Sequence, residues 1–211
     1  MTKKTVLCYG DSITWGYNPA NPNRMTINER WSGVLGNGLD NDFNVIEEGL
    51  NGRTTVWDDP FNHGFKNGLK YLIPCLDSHR PVDLCILLLG TNDMKKRFSL
   101  SAMEISKGIA TLLEVIKKSE TGPNGTAPKI LLLAPPYLNK STRFSEEFRD
   151  SYNKSRKLPS YYAQIAMDYS CEFLDTSKII IASEIDGVHP EVNEHLKLGK
   201  AVLEIVKEIM E

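Results

Sequence analysis

Thr5-Val6-Leu7-Cys8-Tyr9-Gly10-Asp11-Ser12-Ile13-Thr14 is the stretch whose reading decides the fold. Residues 5–8 form a short apolar run that reads as a buried first strand. The chain leaves it through Gly10 and at once presents a small polar side chain. Open α/β sheets build their sites this way, because ligands bind beyond the carboxyl ends of the strands. Ser12 is therefore a candidate nucleophile. Taken alone, Asp11-Ser12 also fits a turn that carries a helix cap, so the rest of the chain has to discriminate.

Outward from that stretch the pattern is strand, helix, strand, helix, with no internal repeat, low-complexity segment or linker. An irregular run rich in Asn and Pro covers 17–28, and a helix is predicted near Glu29–Leu39, weakened by Gly36 and Gly38. Phe43–Glu47 reads as a second strand, and a long loop follows to about Lys66; loops of that length in compact domains are usually functional or mobile. A helix over Asn67–His79 should be kinked or restarted by Pro74. Asp83–Leu89 is a continuous apolar run suited to a central parallel strand. Ser101 to Glu104 makes a capping box ahead of a helical stripe of Ile105, Ile109, Leu112 and Ile116. Lys129–Ala134 is the fourth strand, and an excursion follows from Pro135 to about Phe144. A broken helix is predicted over Ser145–Tyr169, then a short strand Glu172–Asp175 and a last helix bearing Leu198, Val202, Ile205 and Ile209. Alternating units of this kind imply a parallel sheet with helices on both faces.

With 211 residues, 41% hydrophobic and 25% charged, the chain is expected to be a single domain, 1–211, with a substantial core. A net charge of −2 gives no electrostatic case for nucleic acid or an acidic membrane surface. Lys95-Lys96-Arg97, the one dense basic run, reads as a solvated loop. The first apolar run is too short for a signal peptide, and no stretch is long enough to span a membrane. Cys8, Cys75, Cys85 and Cys171 have no zinc-ligand spacing between any two of them and are read as buried free thiols, which suits a reducing cytoplasm. No metal-ligand cluster is visible, and no cofactor is expected.

The polar residues that stand out all follow strands. Ser12 follows the first, Asn51-Gly52 the second, Asn92 the third, and Asp186 and His189 the fifth. In a parallel sheet those ends share one edge, so the five residues can converge on one crevice. A serine hydroxyl needs a base to take its proton, and imidazole is the natural one at neutral pH. A carboxylate on the other ring nitrogen holds the imidazole in one tautomer. Attack on an ester carbonyl makes an oxyanion that needs fixed donors. The backbone amides of Ser12 and Gly52 and the side-chain amide of Asn92 can supply them, and Gly52 has no side chain to bar close approach.

Gly10-Asp11-Ser12, Gly52, Gly90-Thr91-Asn92-Asp93 and Asp186-x-x-His189 resemble the four blocks of the SGNH, or GDSL, hydrolases, in the family's order and over the whole chain. The likeness is closest to the short intracellular arylesterase and acyltransferase members, through residues 7–16 and 45–55. Two departures are minor: Ile13 stands where the name motif has Leu, and the second block reads Asn51-Gly52. The resemblance implies Ser12 as nucleophile, His189 as base, Asp186 as its orienter, and Ser12, Gly52 and Asn92 as the oxyanion hole. The fold expected is a three-layer α/β/α sandwich with a flavodoxin-like five-stranded parallel sheet in the order 2-1-3-4-5. The function expected is serine hydrolysis of small, short-chain carboxylic esters through an acyl-enzyme, with acyl transfer to alcohols, in a homo-oligomer. A carbohydrate O-acetylesterase, a lysophospholipase or acyl-thioesterase, and a non-catalytic binding module remain open. The α/β-hydrolase elbow Gly-x-Ser-x-Gly is excluded by Thr14, and no phosphate-binding P-loop is present.

Other residues receive plainer readings. His63, His79 and His195 have no acid placed as Asp186 is, and are read as structural or solvated. Asp11 and Asp93 are read as hydrogen-bond partners of loop amides beside the site. Trp15, Trp57 and Tyr137, with Phe144, lie on loops bordering the crevice and are candidates for substrate contact and for shortening an acyl pocket.

Overall fold

The structure, a computed structural model, describes residues 3–140 and 143–211. Five parallel strands form one sheet: β1 (Lys4–Gly10), β2 (Phe43–Gly49), β3 (Leu84–Leu88), β4 (Lys129–Ala134) and β5 (Glu172–Asp175). Their order is β2-β1-β3-β4-β5, as the sequence predicts. Six α-helices lie among the described residues: α1 (Ser12–Trp15), α2 (Trp31–Gly38), α3 (Gly68–His79), α4 (Ala102–Lys118), α5 (Ser151–Asp168) and α6 (Val192–Met210).

The period of two in the strands divides the core into two layers. Val6, Cys8, Leu84, Ile86, Leu88, Leu131 and Leu133 face α2 and α6, packing on Trp31, Leu35, Leu198, Val202 and Val206. Leu7, Tyr9, Cys85, Leu87 and Leu132 face α3, α4 and α5, packing on Leu72, Leu76, Ile105, Ile109, Leu112 and Leu158. Each large aliphatic side chain so buried contributes about 1.5–3 kcal/mol. This two-sided burial is why β3 reads as an unbroken apolar run, and all five of its residues are buried. Edge strand β2 is only half-buried.

The predicted capping box of α4 forms, with Glu104 N donating to Ser101 Oγ and Ser101 N to Glu104 Oε2. Two expectations are corrected. Helix α3 does not restart at Pro74 but continues from Gly68 to His79 with the proline inside it. Pro74 and Lys70, the residue whose carbonyl loses its partner, are both exposed, so water can take that bond. The broken helix expected from Ser145 begins instead at Ser151, because Asp150 sits at φ 67° and turns follow one another from 143 to 150. The strands direct their carboxyl ends to one edge of the sheet, where the loops after β1, β2 and β3 meet the segment that precedes α6.

Candidate active site

The site begins with how the chain leaves β1. Gly10 is forced: a Cβ there would sit 2.1 Å from Thr14 Oγ1 and 2.7 Å from the Leu88 carbonyl oxygen. Asp11 then caps the single turn of α1, its Oδ1 accepting from Ile13 N at 3.0 Å. That cap fixes Ser12 at the first helical position, with its side chain at the sheet edge. Gly16, at φ 85°, ends the turn and sends Tyr17 back over the site.

Ser12 Oγ lies 2.9 Å from His189 Nε2, and His189 Nδ1 lies 2.7 Å from Asp186 Oδ2. The other Asp186 oxygen accepts from the backbone amides of Val188 and His189, both at 2.9 Å. Asp186 is 0% exposed. Burial alone would raise its pKa, but the hydrogen bond and charge of His189 and the two amides outweigh it and hold the carboxyl below its ordinary value. It is therefore an anion at neutral pH, oriented at both oxygens.

Donors converge beside the hydroxyl. Asn92 Nδ2 gives one hydrogen to the Arg53 carbonyl at 3.1 Å, leaving the other free to face the crevice. Gly52, at φ 82°, has a conformation that only glycine adopts without strain. Neither its amide nor that of Ser12 has a protein acceptor among the described residues. The loop holding Gly52 is clamped from below by Arg53, which is buried, lies 4.2 Å from the Tyr9 ring centroid and donates Nη1 to the Gly10 carbonyl at 2.8 Å and to the Glu48 carbonyl. Asp93 accepts from Thr55 N at 3.0 Å and from Thr55 Oγ1 at 2.5 Å, tying the same loop to β3. Asp11 and Asp93 thus hold loop amides, as their sequence positions suggest. Burial pushes the pKa of each up to about 6.

Above these groups is a crevice of about 290 Å³ whose floor includes Ser12, Gly52, Asn92 and His189. Tyr17, Phe144, Phe148 and Val188 form its apolar wall, and Asn51, Lys95 and Glu147 its polar rim. Tyr17 and Phe144 bracket the imidazole, with ring centroids 4.2 and 6.3 Å from that of His189. Of the aromatic residues suggested by the sequence, only Phe144 lines this crevice. Trp15 turns toward Arg24, whose guanidinium lies 5.7 Å from its ring. Tyr137 packs under Arg156 at 4.9 Å, on a loop pinned by Leu138 N to Ser155 Oγ and by Asn139 to the carbonyls of Ala182 and Ser183. Trp57 is 39% exposed on the long loop, away from the crevice. Tyr17 was readable only through Gly16, since a left-handed glycine after one helical turn reverses the chain over the strand it has left. Phe148, Lys95 and Glu147 carry no comparable signal.

The remaining histidines lie outside the crevice. His195 is buried with Nδ1 accepting from Trp31 N at 3.3 Å, and burial pushes its pKa down to about 4. His63 is exposed, and His79 pairs with Glu48. Among the described residues no helix is long and apolar enough to cross a membrane.

A hydroxyl, an imidazole and a carboxylate in series, beside an amide-lined recess, form an arrangement suited to acyl transfer. Comparison with known proteins agrees. The chain is similar to the aryl esterase of M. smegmatis, with 37% identity and a TM-score of 0.92 over 98% of this chain and 99% of that one. It is equally similar to Est24, a carbohydrate acetylesterase from Sinorhizobium meliloti, at 37% and 0.92 over 98% and 100%. A putative arylesterase from Agrobacterium tumefaciens str. C58 shares 35% identity with a TM-score of 0.91 over 98% and 99%. No curated protein matches the chain. The profile of the GDSL-like lipase/acylhydrolase family matches residues 8–194. The chain belongs to that family and is a carboxylic ester hydrolase of the GDSL type.

Proposed function

We propose that Ser12 is the nucleophile, His189 the general base and Asp186 the group that orients it, and that the enzyme cleaves small, short-chain esters through an acyl-enzyme on Ser12. One observation carries this reading: the unbroken Ser12–His189–Asp186 series at 2.9 and 2.7 Å, with Asn92 Nδ2 and two unpaired backbone amides beside it. His189 takes the hydroxyl proton as Oγ attacks the ester carbonyl, then gives it to the leaving alkoxide. The amides of Ser12 and Gly52 and the Asn92 side chain receive the oxyanion, where fixed donors cost no reorganisation. Water, activated by the same imidazole, releases the acid.

The acyl group is short, acetyl to butyryl, because Phe144, Phe148 and Val188 line the same crevice of about 290 Å³ as the nucleophile and leave it little room. The same apolar wall favours an organic alcohol over water as acceptor, so acyl transfer accompanies hydrolysis. Each methylene that found apolar burial would add about 0.8 kcal/mol. An open channel would therefore raise kcat/KM steadily with chain length. A p-nitrophenyl ester series from acetyl to dodecanoyl should instead peak by butyryl, and adding benzyl alcohol should yield the benzyl ester. A peak at octanoyl or longer refutes the short pocket, and absence of benzyl ester refutes transfer.

A carbohydrate O-acetylesterase is the second reading, supported by the Est24 likeness. Acetylated sugars tested beside aryl acetates on one sample separate the two, and preference goes to the class with the higher kcat/KM.

The active form is proposed to be a homo-oligomer. Phe61 and Phe65 are 73% and 61% exposed on the loop that also carries Trp57, and Asp59, Asn67 and Asp93 hold that loop in place. Apolar groups displayed on a fixed loop suit an interface. Light scattering should show a species heavier than the 23.7 kDa chain, and a monomer alone at assay concentration overturns the assembly. Cytoplasmic residence is supported by four free cysteines.

A further inference from the structure

Edge strand β2 and helix α3 bring together three side chains that the ester chemistry does not use. Glu48 comes from β2, and Cys75 and His79 lie one turn apart on α3, on the face turned toward that strand. A carboxylate oxygen, Cys75 Sγ and a His79 ring nitrogen all lie within 4.8 Å of one another. We propose that Glu48, Cys75 and His79 form a zinc site, with three protein ligands and a water in the fourth position.

The donor set matches the metal. Thiolate, imidazole and carboxylate in one cluster are the ligands of tetrahedral Zn²⁺, and three protein ligands leave one open position. Zinc–ligand bonds of about 2.0–2.3 Å put tetrahedral donors roughly 3.3–3.6 Å apart. His79 Nε2 and Glu48 Oε1 are already 3.1 Å apart, in a hydrogen bond that the metal would replace with little movement of either group. Cys75 Sγ, on a residue anchored in the core, lies within 4.8 Å of both and completes the set as the three donors draw in on the metal. Binding is balanced by protons: Zn²⁺ enters, the Cys75 thiol proton leaves to water, Glu48 binds as the carboxylate, and neutral His79 presents Nε2 to the metal with its ring proton carried on Nδ1. The bound Zn²⁺ is then matched by the two anionic ligands, with Arg53 close by over the Tyr71 ring.

Access and support are present. Glu48 and His79 side chains are 21% and 30% exposed, so the ion enters from the sheet edge while the thiolate stays buried behind it. The Tyr71 hydroxyl donates to Glu48 Oε1 at 3.4 Å, an outer contact that steadies the carboxylate. The sequence hides the site because its third ligand is remote: Cys75 and His79 are four apart, but Glu48 joins them only through β2 packing beside α3.

The test uses cobalt(II), which takes zinc sites and reports its ligands by colour. Titrating chelator-treated full-length protein with Co²⁺ should give a near-ultraviolet thiolate-to-cobalt charge-transfer band that saturates stoichiometrically and is abolished by Zn²⁺. Cys75→Ser should remove the band, and Cys171→Ser, which changes the one partly exposed thiol, should leave it. If the buried Cys75 variant folds poorly, His79→Gln and Glu48→Gln decide the matter. Each should weaken binding by more than the roughly 10–100-fold that loss of an outer partner costs. Absence of the band in the unmodified chain, its survival in Cys75→Ser, its loss in Cys171→Ser, or unchanged affinity in both substitutions of partly exposed ligands overturns the site. None of these readouts depends on ester turnover.

Discussion

Ser12→Ala is expected to lower kcat by about 10⁶ while the fold stands, as happens when a serine nucleophile is removed from a coupled set. The hydroxyl bonds His189 Nε2, and among the described residues no other hydroxyl bonds that nitrogen. Alanine suits the first turn of a helix, and the Asp11 cap on Ile13 N is untouched. Stability should change by about 1 kcal/mol or less, the worth of one hydrogen bond. The proposed oxyanion donors remain, so a residual rate of roughly 10³–10⁴ over water is expected to persist. Steady-state kinetics on an aryl acetate, a thermal melt and labelling with a serine-directed phosphonate check the three parts. Activity within tenfold of the parent, or phosphonate on another residue, would remove Ser12 from the chemistry.

The sequence exposes the polar edge of this site because parallel topology fixes where strand ends go. Once β1, β2, β3 and β5 are recognised, Ser12, Gly52, Asn92, Asp186 and His189 have to share one side of the sheet. The walls are another matter, since they depend on how each loop folds back. Trp15 and Tyr17 are two residues apart, yet the left-handed turn at Gly16 directs Tyr17 onto His189 while Trp15 meets Arg24. Tyr137 borders the crevice in sequence but is drawn away by the anchors of Leu138 and Asn139. Arg53 is the clearest omission. An arginine in a loop reads as solvated, whereas here a buried guanidinium donates to the Glu48 carbonyl and adds a second donor to the Gly10 carbonyl, which also accepts from Leu50 N. The signal was the requirement of the backbone, which no side-chain pattern displays.

That dependence on oriented acceptors makes Asp186→Asn the second large effect, expected at about 10⁴ in kcat. Among the described residues three donors point at this carboxylate: the amides of Val188 and His189 at Oδ1, and His189 Nδ1–H at Oδ2. Asparagine has one acceptor oxygen and one NH₂. If the oxygen keeps the two backbone amides, the NH₂ faces Nδ1 and makes it the acceptor, which moves the ring proton to Nε2. The imidazole then offers Ser12 Oγ a donor where a base is required. The opposite rotamer would set an NH₂ against two buried N–H groups, each left without an acceptor at about 1–3 kcal/mol. The inactive tautomer is therefore the state the loop selects. Asp186→Ala places no donor against Nδ1, so despite losing more atoms it should be no slower than Asp186→Asn. Kinetics on the two variants, with melting curves to show both are folded, test the assignment. An asparagine variant within tenfold of the parent, or an alanine variant far slower than asparagine, would mean that Asp186 acts by something other than setting the tautomer of His189.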